Sequence, residues 1–390
     1  MTRISTSSMV REIMRDFAGL TGLASPGSAP RRYLWTDAFA VCNLLGLYRQ
    51  THDQTWRDLA LRLVDQVHHV LGRHRADDPR TGWLSGLGEQ EGERHPTAGG
   101  LRIGKKLNER RPGEPPDERT EWDRDGQYFH YLTKWMHALN RVGQVTGDQA
   151  YASWALELAS TAHARFTYLP PAGRTKRMYW KMSIDLRRPL VPSMGQHDPL
   201  DGLVTYSELQ MAVGDSARAA WPGLGAGVAD MAAICREMSW ATDDPLGIGG
   251  LLADAWRMAQ LMERGGVTDA GLLETVLASA LDGLRAFAAD NPLKYRATHR
   301  LAFRELGLAI GLKSVAKLQG WLGENHDRFG KESPLPRQVT AIAGYLPLAD
   351  IIERFWLDGK NRGADSWIEH REINMVMLAT SLAPEEFLTI

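Results

Sequence analysis

One stretch decides the fold class: DRDGQYFHYLTKWMHALNRVGQVTGDQAYASWALELAS, residues 123–160. Its first half carries aromatic and apolar side chains at helical intervals, which form two adjacent stripes on one helix. The stripes comprise Tyr128, Tyr131 and Trp135, then Phe129, Leu132, Met136 and Leu139. Two acids, Asp123 and Asp125, precede this helix, where a carboxylate suits either a helix cap or a pocket mouth.

The second half of the stretch repeats an earlier part of the chain. TGDQAYASWALEL, residues 146–158, aligns with THDQTWRDLALRL, residues 51–63, and both keep Thr, Asp-Gln, an aromatic residue and Ala-Leu-x-Leu. Such internal similarity indicates repeated helix pairs, none of which buries its apolar face without a neighbour. Later segments have the same two-helix outline: 251–262 with 269–287, 301–312 with 314–322, and 347–357 with 366–382.

We therefore predict an all-α protein, a single domain over residues 1–390, in which helical hairpins close into a toroid of the (α/α)6 type. An open solenoid of helix pairs is the alternative.

Two stretches interrupt the hairpins. Residues 76–121 are rich in Gly, Pro and charge, which predicts a functional loop or lid. Residues 167–205 predict a short β-hairpin followed by a turn-rich loop.

The composition of the chain argues against several classes of protein. Hydrophobic residues make up 43% of the 390 positions, as in a globular protein with a sizeable core. The 46 Lys and Arg residues balance 47 acids, which argues against a dedicated nucleic-acid binder. The only cysteines, Cys42 and Cys235, lie in apolar helical patterns, which argues against disulfides and thiolate metal sites. No stretch has the apolar length of a signal peptide or membrane span, so we predict a cytoplasmic protein.

Two segments carry a family resemblance. YLWTDAFAVCNLLGLYRQTHDQTW, residues 33–56, is similar to the opening unit of the six-hairpin glycosidase superfamily, and within it to that of the unsaturated glucuronyl hydrolases. Residues 123–160 resemble the second unit, which in that family begins with a motif carrying a catalytic aspartate. The resemblance implies a toroid that acts on carbohydrate, with Asp125 at the catalytic position. Sugar epimerases of the N-acylglucosamine group share the same regular succession of helical hairpins.

The candidate catalytic residues are acids and one histidine. Glycoside hydrolysis needs two carboxyl groups on opposite sides of the scissile bond, and Asp125 is the first candidate. SMGQHDPLDG, residues 193–202, offers Asp198 and Asp201 as the second carboxylate and His197 as a base, because a Gly- and Pro-bounded loop presents such groups to a cleft. The plainer interpretation is a capping Asp125 and turns built by Asp-Pro and Asp-Gly.

Candidate substrate-binding residues are aromatic or charged side chains beside the predicted helix starts and strands. They are Trp35, Asp37, Tyr128, Trp180 and Lys181. A Trp face stacks on a sugar, a carboxylate binds hydroxyl groups and a lysine suits an acidic sugar, although core packing and capping explain the same residues. Basic residues of the insertion suit a carboxylate or phosphate, or simply a solvated loop. These are Arg102, Lys105, Lys106, Arg110 and Arg111, with Glu369 and His370 as reserve site residues elsewhere.

Three functional hypotheses follow. The first is a glycoside hydrolase that acts on a small saccharide, acidic sugars included, through carboxylate acid–base catalysis without a metal or redox cofactor. The second is a sugar epimerase or isomerase, in which His197 and another base such as His130 move a proton beside a carbonyl. The third is a non-catalytic toroid that binds a partner, since a fold does not determine a function. The oligomeric state does not follow from the sequence.

Overall fold

A computed structural model describes residues 6–24, 29–171, 173–212, 223–266, 269–329 and 332–390. The chain forms two compact units. The first unit comprises Ala18–Glu237, and the second comprises Met1–Phe17 together with Met238–Ile390. The assignment of all residues to a single domain stays a prediction.

Helices dominate both units, and their bounds follow in chain order. The helices are α1 (Thr6–Leu20), α2 (Leu34–Thr51), α3 (Gln54–Leu71), α4 (Glu89–Arg94), α5 (Glu118–Glu121), α6 (Phe129–Thr146), α7 (Gln149–Phe166), α8 (Asp198–Ala212), α9 (Gly223–Cys235), α10 (Pro245–Glu263), α11 (Ala270–Asp290), α12 (Ala302–Glu324), α13 (Leu335–Ala343), α14 (Pro347–Leu357), α15 (Gly359–Arg362), α16 (Asp365–Ile368), α17 (Arg371–Leu382) and α18 (Glu385–Leu388). The strands are β1 (Gln127–Tyr128), β2 (Thr167–Tyr168), β3 (Arg177–Met178), β4 (Lys181–Met182) and β5 (Pro189–Val191).

The two repeated sequences form two hairpins with equivalent turns. Asp53 accepts a hydrogen bond at 3.0 Å from the backbone N–H two residues later and so caps α3. Asp148 caps α7 in the same way, at 2.9 Å. The residue before each cap has a left-handed backbone, with φ of 56° at His52 and 74° at Gly147, which ends the preceding helix and reverses the chain. The predicted hairpins α2–α3 and α6–α7 are therefore confirmed.

Burial separates inner from outer helices in the first unit. α3 is amphipathic and buries one stripe, whereas α2, α6 and α8 contain continuous buried runs at 34–45, 132–142 and 198–209. A helix that is buried on every side lies within a core. α6 packs against both α2 and α8. Polar side chains inside the buried runs must find partners, and those partners form the candidate site.

The segment 167–205 holds more regular structure than predicted. β2 pairs with β3 as a hairpin, while β4 pairs with β1 and with β5 in a second antiparallel sheet. α8 begins at Asp198, so Asp198 and Asp201 stand on the first turn of a helix and the predicted loop is wrong there. Pro199 is compatible with this position, because the first turn of a helix needs no N–H donor from it.

In the second unit, α10 and α12 pack backbone against backbone at glycines. A Cβ atom on Gly249 would lie 2.1 Å from the carbonyl oxygen of Gly307, and one on Gly311 would lie 2.3 Å from that of Gly249. Only glycine permits this approach. α12 is one continuous helix of 23 residues, so the hairpin predicted for this part of the chain is wrong. Lys313 joins the two predicted helices, and lysine is a good helix former.

Candidate functional site

Aromatic side chains gather where α2 and α6 begin. The aromatic cluster comprises Tyr33, Trp35, Tyr128, His130, Tyr131 and Trp180. The ring centroids of His130 lie 4.9 Å from Tyr131 and 5.3 Å from Tyr128, on which His130 stacks. The hydroxyl groups of Tyr33 and Tyr131 share a hydrogen bond of 2.7 Å. Within the cluster, Tyr33, His130, Tyr131 and Trp180 are half-buried, so part of the ring surface faces solvent.

Three of the predicted substrate-binding residues belong to the aromatic cluster. The rings of Trp35 and His130 lie 6.0 Å apart, and those of Tyr128 and Trp180 lie 6.3 Å apart. Burial raises the pKa of the Tyr128 hydroxyl, so this group stays protonated at neutral pH. An aromatic surface of this kind suits the apolar face of a sugar ring. The binding role of these residues stays a prediction.

His130 and Asp198 form an acid–base pair at the cluster. The Nδ1 atom of His130 lies 3.3 Å from Oδ1 of Asp198. The imidazole is 23% exposed and the carboxylate 4% exposed, so only the histidine reaches solvent appreciably. Among the described residues, neither Nδ1 of His130 nor Oδ2 of Asp198 has a hydrogen-bond partner. The pair is therefore an electrostatic contact, in which a proton on Nδ1 beside the carboxylate would leave Nε2 as the nitrogen for proton transfer.

The acid–base pair is the first of three contacts that join α6 to α8. Lys134, one turn further along α6, is hydrogen-bonded to Asp201, and both side chains are buried. Next, Nδ1 of His137 lies 2.9 Å from Oε1 of Glu208. Residue numbers rise together along the two helices, which therefore run in the same direction. Lysine balances the charge of Asp201, whereas Asp198 faces an imidazole that can gain and lose a proton.

Asp125 lies outside this pair and holds the insertion in place. Its Oδ2 accepts a hydrogen bond from Nη1 of Arg102 at 2.5 Å, and its Oδ1 accepts from the backbone N–H groups of Gly104 at 3.0 Å and Lys105 at 3.4 Å. The Asp125 side chain is 0% exposed. We call these contacts the Asp125 staple. The catalytic role of Asp125 stays a prediction, and its contacts favour a structural role.

Lys181 is buried, although the sequence suggests a substrate-binding cation. Its Nζ donates to the carbonyl oxygen of Glu121 at 2.6 Å, to Oε1 of Glu121 at 3.0 Å and to the carbonyl oxygen of Arg124 at 2.8 Å. Burial lowers the pKa of the Lys181 ammonium, and the Glu121 carboxylate opposes that effect. Since an ammonium has three donors, these acceptors use all of them. Lys181 therefore ties β4 to the end of the insertion.

Asp37 positions the start of α2. Its Oδ2 accepts the backbone N–H of Tyr33 at 2.9 Å, and its Oδ1 lies 3.3 Å from Nη1 of Arg32. Burial raises the pKa of the Asp37 carboxyl to about 6, partly against the influence of Arg32. Asp37 therefore orients Tyr33, a member of the aromatic cluster. Its contacts with Tyr33 and Arg32 favour this role over sugar binding.

The remaining predicted site residues lie in two places. His197 is half-buried and immediately precedes α8, beside Asp198 in sequence. Glu369 and His370 belong to the second unit, where both are exposed and precede α17. His370 contacts the Phe303 ring at a centroid distance of 5.5 Å. Their functional roles stay predictions.

The pairing of α6 with α8 is a feature that the predicted elements do not contain. His130 and Lys134 are four residues apart, and Asp198 and Asp201 are three apart, so each pair shares one face of its helix. Two matching faces with opposite charges are a signal that sequence contains. A Gly- and Pro-bounded segment predicts a loop there, whereas α8 begins at Asp198.

The repeated hairpins and inner helices define the fold class, because the chain has an (α/α)6 fold of helical hairpins. A GH76 alpha-mannanase from Bacteroides thetaiotaomicron shares the fold over 99% of this chain and 98% of its own, with TM-score 0.56 and 8% identity. An inactive alpha-1,6-mannanase variant from Salegentibacter sp., in complex with alpha-1,6-mannotriose, covers 98% and 100%, with TM-score 0.53 and 10% identity. A D-mannose isomerase also covers 98% and 100%, with TM-score 0.53 and 11% identity.

Likeness at such low identity shows the fold alone, and the predicted fold class is confirmed. No protein-family model matches the chain, and no curated protein matches it. The finer resemblance to unsaturated glucuronyl hydrolases and the cytoplasmic location stay predictions. Of the helices in the described ranges, none combines the length and apolar character needed to cross a membrane.

Proposed function

We propose that this chain is a carbohydrate-active enzyme and that the His130–Asp198 pair is its acid–base group. The observation that carries the proposal is the 3.3 Å contact between this pair, on an imidazole that stacks within the aromatic cluster. A sugar on the exposed ring surface would lie beside a base that is in contact with a carboxylate. The mannanases and the mannose isomerase of the same fold support a sugar as the substrate class.

Proton transfer on a reducing sugar is the reaction that this geometry supports best. Nε2 of His130 takes the proton from C2 of an open-chain aldose, the C–H electron pair forms the C1–C2 double bond, and O1 takes up a proton. The resulting enediol becomes a ketose when C1 is protonated and O2 loses its proton, or an epimer when C2 is protonated on the other face and O1 loses its proton. Asp198 stabilises the imidazolium that forms. No electrons leave the sugar, so this step requires no redox cofactor.

Glycoside hydrolysis is the second candidate, favoured by the two carboxylates on the first turn of α8 and by the two mannanases of the same fold. Hydrolysis needs carboxyl groups on opposite sides of the bond. Asp198 and Asp201 share one helix face, and Lys134 already binds Asp201. This face therefore supplies one carboxyl group, and hydrolysis would need a second from another element.

A substrate screen separates the two reactions. The protein is incubated with D-mannose, D-mannuronate, D-mannose 6-phosphate and an alpha-linked mannobiose, and both ketose formation and new reducing ends are measured. The proposal predicts ketose or epimer formation that falls at least about 100-fold in His130→Gln and Asp198→Asn. His95→Gln is the matched control, because it removes another histidine–carboxylate pair, with 2.7 Å between His95 Nδ1 and Glu157 Oε2. New reducing ends alone would assign hydrolysis, and no reaction with any sugar contradicts the proposal.

A further inference from the structure

Lys105 stands at the edge of the aromatic cluster. Its Nζ lies 5.5 Å from the ring centroid of Tyr33, and the Tyr33 hydroxyl is hydrogen-bonded to Tyr131. The Tyr131 ring in turn lies 4.9 Å from that of His130. The Lys105 side chain is half-buried. Two aromatic rings therefore separate an ammonium group from the proposed base.

The backbone that carries Lys105 is fixed from two sides. The Asp125 staple binds the N–H groups of Gly104 and Lys105, and the N–H of Leu34 donates to the carbonyl oxygen of Ile103 at 3.0 Å. Gly104 has φ of 93°, and a Cβ there would lie 2.3 Å from the carbonyl oxygen of Arg32. Binding therefore costs no ordering of this backbone, although the lysine side chain itself still loses rotamer freedom. The backbone of Lys105 is preorganised beside the cluster.

Four other buried or half-buried basic side chains of the first unit have acidic partners, and Lys105 does not. The established pairs are Lys134 with Asp201, Lys181 with Glu121, Arg102 with Asp125, and Arg110 with Glu121. Across the described residues, no carboxylate lies within ion-pair distance of Lys105. A partly desolvated ammonium favours a negative partner, because its charge is less well hydrated than at an open surface.

We infer that Lys105 binds an anionic group of the sugar, so that the substrate is an acidic or phosphorylated saccharide. The inference rests on the proposed function, since it needs a sugar on the aromatic cluster. A carboxylate and a phosphate ester offer the same chemistry to an ammonium, which binds either as a point charge. Lys105 acts here as a specificity-determining residue, and His130 with Asp198 performs the proton transfer.

Binding measurements test the inference with matched sugars and matched variants. Tryptophan fluorescence titrations compare D-mannose with D-mannuronate and D-mannose 6-phosphate. We expect at least one anionic sugar to bind about tenfold or more tightly than D-mannose, because one charge-assisted hydrogen bond increases the affinity by about that factor. Lys105→Met should remove that preference, and Lys105→Arg should retain most of it. Lys106→Met is the control, because Lys106 is exposed, adjacent and of the same charge.

The outcomes separate the inference from the proposed function. A preference for mannuronate alone assigns a carboxylate, and a preference for mannose 6-phosphate alone assigns a phosphate ester. Equal binding of all three sugars, or an anion preference that survives in Lys105→Met, overturns the inference and leaves the proposed function standing. Failure of all three sugars to bind contradicts both.

Discussion

Asp125 and Arg102 form a buried ion pair, with 2.5 Å between Oδ2 and Nη1. The two residues are 23 positions apart in the chain, so the pair closes much of the insertion onto the start of α6. Their side chains are 0% and 6% exposed. Loss of the carboxylate charge would leave the buried Arg102 guanidinium with only the carbonyl oxygens of Arg73 and Val70 as acceptors and no opposite charge, which is costly in a protein interior.

The first prediction concerns the Asp125 staple. Asp125→Asn should lower the free energy of unfolding by about 3–5 kcal/mol, because it leaves the Arg102 guanidinium buried and uncompensated. The measurement is the urea unfolding transition, followed by tryptophan fluorescence. Asp123→Asn is the control, since Asp123 is exposed and its replacement should cost less than about 0.5 kcal/mol. Equal effects of the two replacements would contradict a structural role for Asp125.

The second prediction concerns glycines on α12. Gly311→Ala should destabilise the protein by about 1–3 kcal/mol, because its Cβ would meet backbone atoms of Gly249 at 2.3 Å. Gly320→Ala lies on the same helix, and no described atom comes within 4 Å of its Cβ position. There the gain in helix propensity should stabilise by about 0.5–1 kcal/mol. Thermal unfolding of the two variants should therefore shift in opposite directions.

The third prediction is a pH dependence that originates at His68. This side chain is buried, and its Nε2 accepts a hydrogen bond from Nε1 of Trp135 at 3.2 Å. Burial lowers the pKa of His68 to about 3, with a smaller contribution from His69. The unfolded chain binds a proton here below about pH 6.5, and the folded chain does not. The stabilisation is therefore complete above that pH and is lost as pH falls toward the folded pKa.

For this one group, the free energy of unfolding should fall by about 2 kcal/mol between about pH 7 and about pH 5. The observable is the difference between wild type and His68→Gln at each pH, because other groups contribute too. Asp37, with its raised pKa, has the opposite sign, since protonation below about pH 6 relieves the cost of its buried charge. A difference that is constant with pH would show that His68 is not the source.

Much of the fold follows from the sequence for a local reason. The Thr-x-Asp-Gln repeat contains the left-handed residue and the capping aspartate of each turn, so both hairpins are specified within a few residues. α14 begins and ends where the apolar pattern predicts, at Pro347–Leu357. α12 is a different case. No helix-breaking residue stands at Lys313, where the two predicted helices meet, so the apolar pattern does not show whether one helix or two form there.

The site depends on contacts between residues that are far apart in the sequence, and the sequence alone does not reveal these contacts. The sequence predicts His130 as a possible base, but its partner Asp198 is on another helix, 68 positions away. Asp125 and Lys181 have the residue types of a sugar site, yet burial pairs them with Arg102 and Glu121. Residue type indicates which groups can do chemistry. Burial and pairing decide which of these groups are already bound to other groups of the protein.

The proposed proton transfer is tested most directly by hydrogen exchange at C2 of the sugar. D-mannose, D-mannuronate and D-mannose 6-phosphate are each incubated with the protein in D2O, and loss of the C2 proton signal is followed by NMR. We expect deuterium at C2 of at least one sugar with wild-type protein and with His95→Gln, and none with His130→Gln or Asp198→Asn. Wild-type protein that exchanges C2 in none of the sugars, or a His130→Gln variant that exchanges it at the wild-type rate, would contradict the account.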